Sequence, residues 1–488
     1  MRLPLTRLGA SLGAVALVVG IALATAPGAG AHPEHSQPAH PNWQPVPDGV
    51  PMSYVVNIAP NHGQQQLAER AVADAGGTVL QAWPQIGVIV AHSTHASFRD
   101  DLLDSRYGRA VQSVGATRTV AVTEGTPSAQ GAGLTTKATI GDATEGTPAP
   151  DPRESEQWDM AQIKADQAHA ITDGSRRVLV GVLDSGVDDT HPDLAPNFDA
   201  KDSVNCTDAG VPDTKPADWL PTTSGHGTHV AGTIAAARNG VGIVGVAPNV
   251  RIASVKVVND DGFIYPEYAI CGFVWAGLRH MDVTNNSYFI DPWNYWCSDG
   301  ADQQAAKDAV WRAVRWSEQR GVVSAAAAGN GNYDKAHKTI DADSPDDSTP
   351  ATRTIDQNCT DIPTELPGVV TVASTTQAVA KSSFSDYGKG VIDVAAPGSS
   401  ILSTWPLSMP GGGYRVISGT SMASPHVAGV LALLKSRHPW ATPTQLVRLL
   451  RAEADDLACP VGDVRCTGTT DDNAFFGEGI ADALRAVR

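Results

Sequence analysis

Three polar residues stand where an apolar segment ends or a helix can begin, and their types could activate a hydroxyl group. Asp184 directly follows the apolar run 178–183, which is typical of a buried parallel strand. His226 lies in Ser-Gly-His-Gly-Thr-His, where small neighbours allow another backbone to approach closely. Ser421 begins an apolar helical stretch in Gly-Thr-Ser-Met-Ala. Together they supply a carboxylate, an imidazole and a hydroxyl.

A serine hydroxyl is a weak nucleophile until an imidazole accepts its proton, and the imidazole needs a carboxylate to fix its tautomer and offset its charge. Alone, Asp184 could be a turn former and Ser421 a helix N-cap. The combination, in the order Asp, His, Ser, predicts a catalytic triad. That order differs from His-Asp-Ser of chymotrypsin-type proteases and from Ser-Asp-His of α/β-hydrolases. A G-x-S-x-G elbow is also absent, because Ala423 stands where the second glycine would be.

A second interpretation of this region is a metal site, because His226 and His229 lie close together in sequence. No Glu stands between them in an H-E-x-x-H pattern, and no cysteine is near. Zinc is therefore the weaker hypothesis, and we expect His229 to be a structural residue.

The elements that must position these residues alternate between strands and helices from residue 157 onward. The predicted strands lie at 178–183, 250–258, 322–328, 369–373 and 391–395. The predicted helices lie at 227–237, 303–319 and 421–437. This pattern predicts an α/β fold with a mostly parallel sheet and helices on both faces. Asp184 would lie at the carboxyl edge of that sheet, where such folds place their sites.

The amino-terminal segment has the pattern of an export signal. Arg2 and Arg7 precede an uncharged run over 8–26 and a small-residue cleavage pattern at 29–31, which predicts a signal peptide over 1–31. A membrane anchor is the alternative, but Gly, Ser, Thr and Ala dilute the run. Because no comparable run follows, we expect a secreted, extracellular protein with no stable membrane association.

Three further regions separate the signal segment from the α/β domain. Residues 32–51 are rich in Pro and His and should be extended. Residues 52–122 predict a small α+β unit, and residues 123–156 have the composition of a linker that proteases can cut. The predicted elements of the small unit are strands at 54–58, 77–83, 86–91 and 118–122 and helices at 64–75 and 96–104.

Charge and cysteine content restrict the partners and the compartment. The net charge of -17 opposes binding to phosphate backbones, so we expect no nucleic-acid partner. Six cysteines, none in a C-x-x-C spacing, predict disulfides rather than zinc, although sequence alone does not fix their connectivity. The pairs suggested by proximity in sequence are Cys459–Cys466, Cys206–Cys271 and Cys297–Cys359.

Residues 157–488 resemble the subtilisin-like serine proteases of peptidase family S8. The resemblance implies a subtilisin-like three-layer fold and a serine endopeptidase that acts on polypeptide substrates, needs no cofactor for catalysis and is a monomer. It implies that Asp184 orients the imidazole, that His226 is the general base and then the general acid, and that Ser421 is the nucleophile. Asn330, in a Gly-Asn-Gly segment, matches the oxyanion-hole asparagine of the family.

The resemblance extends, in pattern more than in motif, to the small unit at 52–122, which is similar to the family's inhibitory propeptide. It implies a zymogen in which this unit is an intramolecular inhibitor released by self-cleavage within 123–156. An independent binding domain is the alternative. The family also binds a structural calcium ion, and here Asp193, Asn239 and Glu154 stand at its ligand positions. Solvated loop residues remain the alternative to calcium ligands.

The chain departs from the family where a Ser-Leu-Gly segment usually lines the substrate cleft. Residues 286–293 read Asn-Ser-Tyr-Phe-Ile-Asp-Pro-Trp, and the bulky side chains predict narrowed subsites. Either a broadly degradative enzyme or a dedicated processing protease fits this segment. An inactive binding protein on the same scaffold is a further alternative, but it would not need Asp184, His226, Asn330 and Ser421 together.

Overall fold

The computed structural model describes residues 48–124 and 150–488 of the chain. The expected signal peptide and most of the expected extended segment and linker lie outside the described residues. Within the described ranges, no helix is both long enough and apolar enough to cross a membrane.

The amino-terminal unit is a four-stranded antiparallel sheet with two helices packed on one face. Its elements are β1 (Met52–Ile58), α1 (His62–Asp74), β2 (Gly77–Trp83), β3 (Val88–Ser93), α2 (Phe98–Asp104) and β4 (Val111–Ala116). The strand order is β2-β3-β1-β4. Alternate residues of β1 face opposite sides: Val56 packs with Phe98 under the helices, whereas Val55 packs with residues of the larger domain. The sheet therefore contributes to two cores.

The predicted strand at 118–122 is wrong, because the fourth strand is β4, which ends at Ala116. Directly beyond it the chain forms no strand, although the backbone N–H groups of Thr117 and Val122 donate to the carbonyl oxygens of Ser53 and Pro51 at 3.0 and 2.8 Å. Side chains of the larger domain also hold this segment. Arg118 forms an ion pair with Glu267, and the backbone N–H of Thr119 donates to Asp347 Oδ2 at 2.8 Å.

The larger domain contains the remaining strands and helices. Its strands are β5 (Leu179–Asp184), β6 (Val204–Asp208), β7 (Val211–Asp213), β8 (Arg251–Lys256), β9 (Val283–Asn286), β10 (Trp296–Cys297), β11 (Val323–Ala327), β12 (Ile340–Asp341), β13 (Arg353–Thr354), β14 (Cys359–Thr360), β15 (Val369–Thr375), β16 (Val394–Pro397), β17 (Ile401–Trp405) and β18 (Gly413–Ile417). Its helices are α3 (Trp158–Gln162), α4 (Ala165–Ala168), α5 (His226–Ala235), α6 (Pro266–Leu278), α7 (Ala301–Gln319), α8 (Thr420–Arg437), α9 (Pro443–Glu453) and α10 (Ala483–Ala486).

An eight-stranded sheet forms the middle layer, in the order β16-β15-β11-β9-β5-β8-β6-β7. All neighbouring strands are parallel except β6 and β7. Helices α5 and α8 share one hydrophobic core with the sheet, and α6 and α7 share the core on its other side. The predicted three-layer α/β fold is confirmed.

All three expected disulfides are present, so the pairing inferred from proximity is confirmed. Cys206–Cys271 joins β6 to α6, Cys297–Cys359 joins β10 to β14, and Cys459–Cys466 closes a short loop.

Candidate active site

Asp184 and His226 meet at the carboxyl edge of the sheet. Asp184 is the last residue of β5, is 2% exposed, and accepts a hydrogen bond from the backbone N–H of Ser185 at 2.7 Å. His226 begins α5, and its Nδ1 lies 2.8 and 2.9 Å from the two carboxylate oxygens of Asp184. This approach needs glycine at position 227, because a Cβ on Gly227 would lie 2.5 Å from the carbonyl oxygen of Gly186.

The pairing changes the basicity of the imidazole. Burial alone would lower the pKa of His226, but the charge of Asp184 and its hydrogen bond outweigh burial and raise this pKa above its usual value. The carboxylate also fixes the proton on Nδ1, so Nε2 is the nitrogen that can accept another proton.

Ser421 is the second residue of α8, which begins after Gly419. Backbone N–H groups in the first turn have no partner within the helix, and the positive end of the helix dipole lies here. Ser421 Oγ donates to the carbonyl oxygen of Ser287 at 3.2 Å, and Ser287 Oγ donates to the carbonyl oxygen of Ser421 at 2.8 Å. No hydrogen bond between Ser421 Oγ and His226 occurs among the described residues, so proton transfer requires the hydroxyl to leave Ser287.

Asn330 lies three residues after β11 and is oriented by the start of α8. Its Oδ1 accepts hydrogen bonds from the backbone N–H of Thr420 at 2.8 Å and from Thr420 Oγ1 at 2.9 Å. In the described parts of the chain Asn330 Nδ2 has no acceptor, and it can donate to an oxygen atom placed beside Ser421. The preceding turn needs Gly329, whose φ is +111° and whose Cβ would lie 2.2 Å from Asp386 Oδ2.

A cavity of roughly 500 Å³ opens beside Ser421 and Asn330. This volume is in the range of small-molecule and side-chain pockets. Tyr288 and Phe289, from the segment where the family usually has glycine, form part of the wall. The structure thus places Tyr288 and Phe289 against the same space as Ser421.

The cavity wall is acidic. Its lining residues include no Lys, Arg or His. Burial and the neighbouring charge of Asp346 raise the pKa of Asp291 well above its usual range. The lining carboxyl groups are those of Asp261, Asp291, Asp343, Asp346, Asp361 and Asp386.

One ammonium group lies behind this wall. Lys335 is 1% exposed, forms an ion pair with Asp361, and places Nζ 3.7 Å from Asp386 Oδ2. Burial raises the pKa of Asp361 to about 7, although the charge of Lys335 opposes this change. Lys335 is thus shared between two carboxyl groups of the wall.

His229 is buried in the core, as expected for a structural residue. Its Nε2 is 3.1 Å from the carbonyl oxygens of both Ile401 and Arg415. Burial lowers its pKa to about 3, which keeps the ring neutral. The described ranges contain no group of three or more His, Cys, Asp or Glu residues that could hold a metal ion.

The three residues expected to bind calcium have other partners. Asp193 Oδ2 accepts from the backbone N–H of Ile243 at 3.0 Å and from the Tyr414 hydroxyl at 2.9 Å, whereas Oδ1 is buried with no partner. Asn239 Nδ2 donates to the Pro192 carbonyl oxygen at 3.0 Å. Calcium takes about six to eight oxygen ligands. In the present arrangement, Asp193 Oδ1 is the carboxylate oxygen that remains for a calcium ion.

Glu154, the third expected ligand, lies 3.5 Å from the guanidinium of Arg238, which also forms an ion pair with Asp173. The guanidinium of Arg238 therefore already pairs with the carboxylates of Glu154 and Asp173. In this arrangement Glu154 is thus engaged by Arg238, and no catalytic step is assigned to calcium.

Comparisons with known proteins identify the family of the chain. The model of the subtilase family matches residues 175–479. The chain belongs to the subtilase family. It is 36% identical over 336 residues to subtilisin of Bacillus pumilus, covering 69% of this chain and 100% of that protein. It is also 36% identical over 336 residues to subtilisin E of Bacillus subtilis (strain 168), covering 69% and 72%. This subtilase is accordingly a serine endopeptidase.

Solved structures support the fold of this subtilase. The epidermin leader peptide processing serine protease (EpiP) from Staphylococcus aureus aligns with a TM-score of 0.65 at 22% identity, covering 90% of this chain and 98% of that one. Fervidolysin from Fervidobacterium pennivorans, a keratinolytic enzyme related to subtilisin, aligns with a TM-score of 0.64 at 24% identity, covering 90% and 61%. At these identities the likeness concerns the architecture alone.

Sequence reasoning did not identify two residues that orient the site of this subtilase. Thr420 holds the amide of Asn330, and the Ser287 carbonyl receives the Ser421 hydroxyl. Both residues lie within the motif segments. The sequence therefore shows that they are near the site, but it does not show which atoms they contact.

Proposed function

We propose that this subtilase is an exported endopeptidase, made as a self-processing precursor, with Asp184, His226, Ser421 and Asn330 as its catalytic residues. The observation that carries the site assignment is the contact of His226 Nδ1 with both oxygens of Asp184, at 2.8 and 2.9 Å. It leaves Nε2 as the proton acceptor for a serine nucleophile.

In the first step Ser421 Oγ attacks the carbonyl carbon of the scissile peptide bond while its proton passes to His226 Nε2. The carbonyl π bond opens and its electron pair moves to oxygen, which becomes an oxyanion. When the tetrahedral intermediate collapses, the C–N bond breaks and His226 gives its proton to the leaving amine. Water then attacks the acyl-enzyme by the same route and releases Ser421.

The oxyanion needs donors that are in place before it forms. The backbone N–H of Ser421, in the first turn of α8, is one donor. Asn330 Nδ2 is the other, and the two hydrogen bonds from Thr420 to Asn330 Oδ1 hold it in position. A single donor of this kind contributes about 3 kcal/mol in subtilisins.

The unit at 52–122 is proposed to be the intramolecular inhibitor. Its support is extensive polar docking onto α7: Asn57 Nδ2 donates to the carbonyl oxygen of Ala305 at 2.8 Å, and the backbone N–H of Ala116 donates to Asp302 Oδ1 at 2.7 Å. Arg312 Nη1 donates to the carbonyl oxygen of Ile58 at 2.7 Å. An independent binding domain on a linker would not need these contacts.

Export and processing complete the proposal. The signal pattern over 1–31 supports export, and the low-complexity linker over 123–156 offers bonds for self-cleavage. Cleavage there would allow the unit at 52–122 to leave the larger domain.

The test is expression of the precursor and its Ser421→Ala variant, followed by the size of the product and by casein cleavage. The variant should remain full length after export and leave casein intact. Ser418→Ala is the matched control, because Ser418 is exposed and its hydroxyl accepts from the backbone N–H of Ser400. Maturation and casein cleavage by Ser421→Ala at the parent's rate would refute the assigned nucleophile.

A further inference from the structure

A guanidinium group of the amino-terminal unit is buried inside the larger domain. Arg118 is 4% exposed and forms an ion pair with Glu267, which is 0% exposed. The guanidinium carbon lies 3.7 Å from the ring centroid of Tyr265 and 5.7 Å from that of Tyr268. Tyr265, Glu267 and Tyr268 are called the Glu267 pocket below. Carboxylate and aromatic faces together form a site suited to a cation.

The Glu267 pocket lies at the edge of the cavity that contains Ser421. Ile264, directly before Tyr265, lines that cavity. On the other side, the residue after Arg118 is bound to Asp347, whose neighbour Asp346 also lines the cavity. A polypeptide lying in the cavity therefore passes close to the pocket.

Glu267 loses both of its side-chain donors when the amino-terminal unit leaves. Its Oε1 accepts from Arg118 and, at 2.8 Å, from Ser53 Oγ, and both residues belong to that unit. Among the described residues, Arg118 is its only ion-pair partner. Its Oε2 is buried and has no partner even in the precursor. The released enzyme thus exposes a carboxylate with unfilled acceptor capacity.

Two features keep that carboxylate ionised and unpaired in the released enzyme. Glu267 lies in the first turn of α6, where the helix dipole favours a negative charge. The adjoining cavity has no lining Lys, Arg or His that could replace Arg118. The rings of Tyr265 and Tyr268 belong to the larger domain and remain beside the carboxylate, so the vacated pocket still combines the groups that favour a cation.

We propose that the Glu267 pocket is a substrate subsite for a cationic side chain, and that Arg118 occupies it only in the precursor. The proposal rests on the proposed protease function and adds a substrate class: polypeptides with an arginine at a fixed distance from the cleaved bond. Arginine is preferred over lysine because its planar group stacks on the ring of Tyr265 while one of its terminal nitrogens bonds Glu267, as Arg118 does in the precursor.

The test uses the processed enzyme and peptides that share one cleavable bond, with a single arginine moved one residue at a time along either side of it. At one position arginine should raise kcat/KM roughly tenfold to a hundredfold over citrulline, its neutral analogue. Lysine should give a smaller gain. Glu267→Gln should abolish the preference, whereas Glu318→Gln, the same change on α7, should keep it.

Glu267→Gln could fail to mature, because the buried Arg118 would keep only one of its two carboxylate partners, Glu124. The double variant Arg118→Gln with Glu267→Gln avoids this, and after processing it yields the same enzyme as the single variant. No arginine preference at any position, or a preference that survives Glu267→Gln, overturns the proposal and leaves the pocket a docking site for Arg118 alone. The proposed protease function is tested separately, since it fails only if Ser421→Ala still cleaves these peptides.

Discussion

Replacing Asn330 by alanine should slow the chemical step without weakening substrate binding. Asn330 Nδ2 has no acceptor among the described residues and faces the cavity beside Ser421, so its hydrogen bond forms mainly when the oxyanion appears. An interaction present only in the transition state lowers kcat and kcat/KM equally when it is lost. The expected loss of about 3 kcal/mol corresponds to roughly a hundredfold in kcat.

The two polar atoms of the Asn330 amide have different roles: Nδ2 can donate to the oxyanion, whereas Oδ1 accepts hydrogen bonds from Thr420. Asn330→Ala also removes Oδ1, which accepts two hydrogen bonds from Thr420. Asn330→Asp keeps an oxygen for Thr420 but removes the donor and places a negative charge near the forming oxyanion. We therefore expect Asn330→Asp to lose at least as much kcat as Asn330→Ala while retaining more thermal stability.

The assay is steady-state hydrolysis of a chromogenic peptide by active-site-titrated enzyme, with thermal unfolding measured on the same samples. Asn358→Ala is the matched control, because Asn358 is exposed and bonds only its near neighbour Asp356 by its side chain. A kcat for Asn330→Ala within a few-fold of the parent, or a loss found entirely in KM, would refute the assigned oxyanion role.

Two further predictions concern protons and calcium. Asp184 raises the pKa of His226, and the imidazole must be neutral to act as a base, so kcat/KM should fall as pH decreases through that raised pKa. Asp184→Asn should lower the rate by about 10⁴ and move this limb of the pH profile to lower pH; an unmoved limb contradicts the assignment. We also propose that Asp193 and Asn239 rearrange to bind a structural calcium ion, since Asp193 Oδ1 is buried without a partner. Chelator should then lower the melting temperature of the Ser421→Ala protein but not that of the same protein with Asp193→Asn, and a melting temperature indifferent to chelator excludes the site.

The sequence predicted the strands and helices whose hydrophobic pattern is local. Strand β5 is apolar and buried along its length, and it ends at Asp184 as expected. Helix α6 was not predicted, because nearly all of its residues are buried and it has no polar stripe to reveal its period. Strand β9 was missed for a related reason: it is four residues long and ends in two buried asparagines.

Contacts between distant segments explain the remaining differences. Strand β4 contains Gly115, where a Cβ would lie 2.6 Å from the backbone of Asp302, so its composition reflects docking on α7 rather than strand propensity. The acidic character of the cavity could likewise not be predicted from the sequence, because its carboxyl groups come from separate segments between Asp261 and Asp386. Motifs predict which residues take part in the reaction. The residues around them that select a substrate can be identified only in the folded structure.

The position of Ser421 on α8 has a consequence for when the enzyme can first become active. Helix α8 packs against α5 and against β9, β11 and β15, so its place exists only after those elements have been synthesised and assembled. A ribosome adds Asp184 and His226 long before it reaches Ser421. The growing polypeptide therefore lacks its proposed nucleophile during most of its synthesis, and cleavage by the proposed mechanism cannot begin until α8 has been made.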